Sequence, residues 1–381
     1  MTLQEAQSEK KYQEATSLPL GAALIEITPS VSVRVATETD KPVWEDYVLN
    51  TPQASFFHRW GYAEAISSGY GREVIRLVAI SGNRIVGVAA FVWVDGLFAA
   101  KAMISLGFSV GGGVVANSAE TGEALSAEAD RIARGRGAAY LEIRETPHSQ
   151  GAVSFDGWEE KSGAYEYFQH TYPIDPAERL LSIRRRRRAE IRKAIAAADS
   201  GAMRFNVSND MQAFYAVYKR TAQLHGTPIF HFRFLEALER ELGEDVEVSC
   251  VESAQGPLAV LLSFYHGGSV APYYVGGVQS ARAQRAFDYL YWMQLDHAIA
   301  TRGAATLDFG RSKGGAAHCA YKRTWGMTGT PLTYRYKLYS TQSVPSVSPA
   351  NPKYALAIKL WKRLPHAAAD ALGPRLSRYF G

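Results

Sequence analysis

The stretch Thr306–Gly326, TLDFGRSKGGAAHCAYKRTWG, gathers the side chains best suited to chemistry. An apolar start at Thr306 and Leu307 stops at Asp308, and Gly310, Arg311, Ser312, Lys313, Gly314 and Gly315 follow as a predicted Gly-rich loop. Glycine lets backbone approach an anion closely, and cations beside a hydroxyl suit a phosphate or carboxylate. A short predicted helix then carries Tyr321, Lys322, Arg323, Trp325 and Gly326. A fixed ammonium such as that of Lys322 suits the oxyanion that develops in acyl transfer. Asp308 has two readings, a proton acceptor for an amine or an orienter of Arg311. Orientation is favoured, because an Asp beside arginines has a lowered pKa and is a poor base. Tyr274 is a candidate hydrogen-bond donor on a strand, or a core ring. The plain alternative for the whole stretch is a solvated turn with a core tryptophan.

These residues need a scaffold, and the chain is long enough to supply two domains at 381 residues. Hydrophobic content of 47% and charged content of 21% are those of a globular protein. The two cysteines, Cys250 and Cys319, cannot form a disulfide framework, and no Cys/His cluster has zinc spacing, so no metal is expected. The polar, mixed-charge start MTLQEAQSEKKYQEA is not a secretory signal, and no apolar run is long enough to span a bilayer. The cytosol is therefore permitted.

Residues 1–30 read as a leader. From residue 31 to 170 the pattern is strand, two helices, a meander around the Gly82–Asn83 turn, a long helix and a strand. Residues 171–340 repeat that outline, which predicts a duplicated α+β unit. Gly111, Gly112 and Gly113 after a strand allow either a ligand or a bulge. A helix starting at Pro176 is expected to continue through Arg184–Arg188, placing Arg184, Arg188 and Arg192 on one face. That face is either an anion site, for nucleotide phosphate, nucleic acid or lipid, or a solvated helix surface. Residues 341–352 are a Pro/Ser linker, and 353–381 a basic amphipathic tail for an anionic membrane surface or for docking on the protein's own body.

Taken together, WEDYV, TPQASFFHRWGY, GNRIVGVAAF, YYVGG, DFGRSK and YKRTWG resemble the FemAB family over nearly the whole chain. They are most similar to the branch that accompanies exosortase and exopolysaccharide gene systems. DFGRS followed about ten residues later by aromatic–Lys–x–x–Trp–Gly is the specific part. The resemblance implies two tandem Gcn5-related N-acetyltransferase-like domains, each with a mixed, mostly antiparallel sheet. It implies transfer of an acyl or aminoacyl group to an amine, from acyl-CoA or aminoacyl-tRNA as donor, with no permanently bound cofactor. It places the aromatic–Lys pair Tyr321–Lys322 at the reaction centre, with Tyr where Phe is usual. Gln279–Gln284 lacks the glycines of an acyl-CoA pyrophosphate loop, which weighs against that donor. The acceptor is expected to be an envelope or exopolysaccharide precursor at the cytoplasmic membrane face. A non-catalytic module binding a glycan or lipid diphosphate, and a tRNA-binding protein, are the alternatives.

Overall fold

A computed structural model describes residues 30–96, 99–145, 148, 153, 155–344 and 352–377. Residues 1–29 of the expected leader, residues 345–351 of the linker, and Arg378 and Phe380 of the tail lie outside these.

The first half runs β1 (Val31–Val35), α1 (Lys41–Leu49), α2 (Trp60–Tyr70), β2 (Val74–Ser81), β3 (Arg84–Gly96), β4 (Ala99–Ser105), β5 (Val115–Ala116), α3 (Ala119–Gly135), β6 (Tyr140–Arg144) and β7 (Glu159–Thr171). Two helices, α4 (Pro176–Ser182) and α5 (Arg185–Asp199), lead to the second half. It repeats the order as β8 (Arg204–Val207), α6 (Met211–His225), α7 (Phe232–Leu242), β9 (Val246–Ser253), β10 (Gly256–His266), β11 (Ser269–Gly277), α8 (Ala286–Arg302), β12 (Thr306–Lys313), α9 (Ala317–Thr324) and β13 (Thr328–Leu338). The tail forms α10 (Pro352–Trp361) and α11 (His366–Ser377).

The two halves share one sheet. Its strand order is β1-β2-β3-β4-β6-β13-β7-β12-β11-β10-β9-β8, with β5 paired to β3. The last strand of each half crosses over. β7 pairs antiparallel with β12 of the second half, and β13 pairs antiparallel with β6 of the first. The two crossed strands also pair with each other, Thr328 opposite Gln169 and Tyr336 opposite Glu159.

One face of this sheet is covered by α1, α2, α6 and α7 over a core running from Trp44 and Trp60 through Tyr62, Phe214, Phe234 and Phe264 to Tyr334. The other face holds α3 over the first half, and α5, α8 and α9 over the second. On the first face α2 and α7, from different halves, cross closely. A methyl group at Gly69 would stand 2.6 Å from the Phe234 Cα, and one at Gly61 2.8 Å from Glu241 Cβ. Small residues at the crossing point let the two helices bury Phe234, Leu235 and Leu238 between them and the sheet.

Each half contains a parallel strand pair that soon parts. β4 and β6 pair from Ala102 opposite Tyr140 to Ile104 opposite Glu142. β11 and β12 pair only at Ser269 opposite Thr306 and Val270 opposite Leu307. The first wedge is filled by its own chain, because Ser109 O receives Arg144 Nη1 at 3.4 Å and a Cβ on Gly113 would sit 2.5 Å from Arg144 O. The glycine run at 111–113 thus serves close packing.

Several local expectations are corrected. The predicted helix from Pro176 through the arginines is broken at Ile183 and Arg184, both extended. The break seats Ile183 in the core and lets Arg184 N donate to Thr324 O at 3.2 Å. The predicted Gly-rich loop at 310–315 is mostly strand: β12 continues to Lys313, held by β7 from Phe168 to Tyr165. Gly310, at φ +60°, is part of a bulge within that strand. The Gly314 amide is already used, donating to Ala164 O at 3.1 Å.

Candidate active site

The bulge in β12 decides where its side chains go. Leu307 and Phe309 enter the core under α8 and α9, while Asp308 emerges on the opposite face beside Tyr167. There it lines a cavity of about 420 Å³ between the halves. First-half residues 49–56 and β7 form one wall, and β10, β11 and β12 the other. The Asp308 carboxylate accepts the Tyr167 hydroxyl at 2.5 Å and the Gly310 N–H at 2.7 Å. Among the described residues it makes no ion pair. Burial therefore outweighs the hydrogen bonds and pushes its pKa up from the ordinary carboxylate value. The favoured reading of Asp308, an orienter of Arg311 with a lowered pKa, is corrected. It does not orient that guanidinium, and its pKa is raised, not lowered.

Lys322 reaches the same bulge from the other side of the sheet. Its ammonium donates to the carbonyls of Phe309, Gly310 at 3.1 Å and Arg311 at 3.0 Å, and stands 5.3 Å from the Phe168 ring centroid. Three protons meet three carbonyls, so the charge is turned to the backbone and not to a groove between the halves. Burial draws the Lys322 pKa down to about 8, against the pull of Asp308 nearby. Tyr321 is farther from the cavity. Its hydroxyl donates to Asp288 Oδ1 at 3.2 Å, and Arg187, ion-paired to the same carboxylate, covers its ring at 4.4 Å.

Arg311 leaves β12 on the cavity face but turns toward β13, donating to the Tyr334 hydroxyl and stacking on Tyr165 at 4.8 Å. Arg144 lies nearby, paired with Glu142 at 2.6 Å, whereas Arg311 has no carboxylate among the described residues. Ser312 is buried and Lys313 exposed, so the two do not join Arg311 in a phosphate cradle. Tyr274 packs among Tyr218, Phe230 and Phe264 as a core ring. Tyr273 and Tyr274 share a face because β11 bulges there, after Pro272, which cannot donate to the ladder.

The arginine run divides by role. Arg187 points inward to Asp288, and Arg188 donates to Leu181 O at 3.2 Å. Arg184, Arg185, Arg186 and Arg192 are exposed, beside the C-terminal end of α9 through the Arg184–Thr324 contact. Arg184 precedes the helix, so the expected Arg184/Arg188/Arg192 face is not one row.

Sequence reasoning missed Tyr167, Gln169, His266 and Thr306, which surround Asp308 in the cavity. The alternation of Tyr165, Tyr167 and Gln169 was a usable signal for one strand face, but its pairing with β12 spans more than a hundred residues and leaves no local trace. Burial draws the pKa of His266, in the cavity lining, and of His58 down to about 4 each, and Arg59 adds to the lowering at His266.

The tail docks on α6. Trp361 is buried, Asp370 pairs with Lys219 at 2.9 Å and with Arg220, and Gln223 donates to Leu364 O at 2.8 Å. Leu356, Leu360, Leu372 and Leu376 nevertheless remain exposed. No described helix is long and apolar enough to cross a membrane, and no described group of side chains could hold a metal ion.

A family model described as an acetyltransferase (GNAT) domain matches residues 185–323. No curated protein matches the chain. Among solved structures, FemX superposes with a TM-score of 0.64 at 15% identity, covering 86% of this chain and 100% of FemX. A conserved protein of unknown function from Bacteroides thetaiotaomicron VPI-5482 gives 0.55 at 10% identity, covering 81% and 100%. The C-terminal domain assigned to a lysylphosphatidylglycerol synthetase of Agrobacterium fabrum gives 0.54 at 14% identity, covering 87% and 96%. The chain therefore has an α+β fold of two tandem GNAT-like units, with an acetyltransferase-type domain in its second half.

Proposed function

We propose that the protein transfers an acyl or aminoacyl group to an amine held in the cavity between its halves, with Asp308 as the base. The observation that carries this reading is the Asp308 carboxylate itself. It lines the cavity, is fixed by Tyr167 and the Gly310 amide, makes no ion pair among the described residues, and has its pKa raised by burial against the pull of the nearby Lys322 ammonium. A carboxylate whose pKa burial raises is a better proton acceptor than an ordinary one.

The acceptor enters as an ammonium, and Asp308 takes one of its protons. The freed nitrogen lone pair attacks the acyl carbon. An N–C bond forms as the thioester C–S bond, or the ester C–O bond of an aminoacyl donor, breaks. The second proton leaves the nitrogen with the departing thiolate or alkoxide. Tyr167 keeps the carboxylate aimed. Lys322 is a positioning residue: it pins the carbonyls of the bulge that sets the Asp308 direction. The donor is proposed to bind in the second half, a reading supported by the parting of β11 and β12 after two residue pairs and by the domain match there. Arg311 and the exposed Arg184, Arg185, Arg186 and Arg192 supply positive charge for the phosphates of acyl-CoA or the backbone of aminoacyl-tRNA.

The acceptor's setting is proposed to be an envelope or exopolysaccharide precursor at the inner membrane face. The exposed leucines of the docked tail, with Lys359, Lys362, Arg363 and Arg375 around them, support peripheral attachment to an anionic surface.

The test is direct. The full chain is incubated with radiolabelled acetyl-CoA or aminoacyl-tRNA and a panel of small primary amines. Transfer to an amine is expected from one donor class, and Asp308→Asn should lower it by about a hundredfold or more with the fold intact. Absence of transfer from both donors, or full activity in Asp308→Asn, would leave a non-catalytic binding module.

A further inference from the structure

We infer that the cavity beside Asp308 receives an amino sugar, a pyranose bearing a free amino group, as a monosaccharide or as one residue of a larger glycan. This rests on the acyl-transfer reading and names its acceptor.

The lining excludes other classes by its chemistry. Among the described residues no Lys or Arg lines the cavity, so a phosphate or carboxylate would enter it without a counter-charge. Among the described lining residues the one carboxylate is Asp308, which suits an ammonium. At about 420 Å³ the space is of small-molecule size, far more than an ammonium alone requires. A long alkylamine would need an apolar wall throughout, yet Tyr167, Gln169, Thr171, Ser269 and Thr306 bring hydroxyls and an amide into it. Thr171 and Thr306 face each other across β7 and β12 with their hydroxyls 2.8 Å apart, which leaves one hydroxyl proton free to donate. Ser269 and Gln169 add a second hydroxyl and an amide, and the Gln169 carbonyl already meets His148 at 3.1 Å, freeing its NH₂ for a ligand. His266 adds a neutral imidazole, able to meet a hydroxyl without bringing charge. One side is aromatic: Phe56 and Phe264 stack with centroids 4.4 Å apart and planes within 8°. Polar groups on several sides, an apolar patch at Phe56 and Phe264 and one carboxylate match a polyhydroxylated ring with one amine.

Binding to the full chain is measured by calorimetry and saturation-transfer NMR, with D-glucosamine, N-acetyl-D-glucosamine, D-glucose, ethanolamine and a short glucosamine oligomer. Glucosamine is expected to bind at least tenfold more tightly than N-acetylglucosamine and glucose, which lack the ammonium, and than ethanolamine, which lacks the ring. Tighter binding of the oligomer points to a glycan end, and of the monosaccharide to a free sugar. Ser269→Leu, which fills the cavity, and Gln169→Ala, which removes the amide, should each weaken glucosamine at least tenfold with an unchanged circular dichroism spectrum. Equal binding of glucosamine and ethanolamine, no binding of glucosamine, or indifference to both substitutions overturns the inference. If ethanolamine is acylated in an Asp308-dependent way and glucosamine neither binds nor reacts, the amino sugar falls and acyl transfer stands. If glucosamine binds as expected and neither donor is used, the cavity stands and the activity falls.

Discussion

Asp308 differs from the carboxylates on the strands around it. Glu142, Glu145, Glu160 and Glu166 each pair with an arginine, whereas Asp308 has a phenol and an amide. Its raised pKa gives the reaction an acidic limb: as pH falls through that value the carboxylate is protonated and the base is lost. The limb should lie above the ordinary Asp range and vanish from the residual rate of Asp308→Asn. Lys322 acts on the other side of pH 7. Drawn down to about 8, its amine loses a proton above that pH, and two remaining N–H groups cannot serve three carbonyls. A fall in kcat, more than a rise in KM, is expected above pH 8, and Lys322→Arg should move it to higher pH. Lys322→Met should cost about 2–4 kcal/mol of stability, read by urea denaturation. A full-rate, full-stability methionine variant would remove Lys322 from the scheme. His58 makes a separate prediction. It is folded neutral with a pKa of about 4 against an unfolded 6.5, so the folded state binds fewer protons in that window. Its contribution is present above pH 6.5 and lost as pH falls toward 4, by about 3 kcal/mol. Substituting a non-titrating residue, His58→Gln, should flatten that part of the stability profile. Residue types were thus legible for Asp308, Lys322 and Arg311, but their partners were not: a carbonyl, a phenol or a carboxylate beside a charged side chain is chosen by strands far away in sequence.

At the scale of elements, the legible parts were those whose signal is local. α1, α2, α3, α6, α7 and α8 repeat apolar residues at helical spacing, and the β2–β3 hairpin turns on Gly82 at φ +60°. β12 was read as a loop from Gly310 onward because glycine and mixed charge dominate it. β7 nevertheless supplies partners through Lys313, and the ladder overrides the weak strand propensity. The α4–α5 break was equally hidden, since the arginines favour helix and the reason to stop is Ile183 meeting a core built from β12, α8 and α9. The tail shows how an element can satisfy two readings. Trp361, Ala369 and Asp370 tie it to α6, while Leu356 and Leu360 stand one turn apart, 68% and 58% exposed, beside Lys359 and Arg363. If this surface meets lipid, the Leu356→Ser/Leu360→Ser double variant should lose at least about tenfold in partitioning to vesicles containing phosphatidylglycerol. Its thermal unfolding should be unchanged, because both side chains are already in water. Equal sedimentation of wild type and variant with the vesicles would assign the leucines no membrane role.

For the whole molecule, the repeat in the sequence announced two similar halves, and the exchange of their last strands makes them one folding unit. β7 belongs by chain order to the first half, but its hydrogen-bonding neighbours are β12 and β13 of the second. β13 returns the exchange by pairing with β6, from Tyr334 opposite Arg144 to Leu338 opposite Tyr140. A fragment of residues 31–170 would leave both edges of β7 unpaired and Tyr167 without Asp308. It would also strip α7 from the glycines of α2, exposing the apolar surface around Phe234 and Tyr62. Neither hydrogen bonds nor buried area survive such a cut in enough measure to offset chain entropy. The full chain should therefore unfold in one transition, with tryptophan fluorescence and far-ultraviolet circular dichroism giving the same midpoint in urea. The fragments 31–170 and 171–344, expressed separately, should be unfolded or aggregated, and soluble when co-expressed. A first fragment that folds alone with a sharp urea midpoint would show that the crossed strands are an accessory. In that case the cavity at the crossing, and the alignment of Asp308 within it, would depend on the docking of two independent bodies.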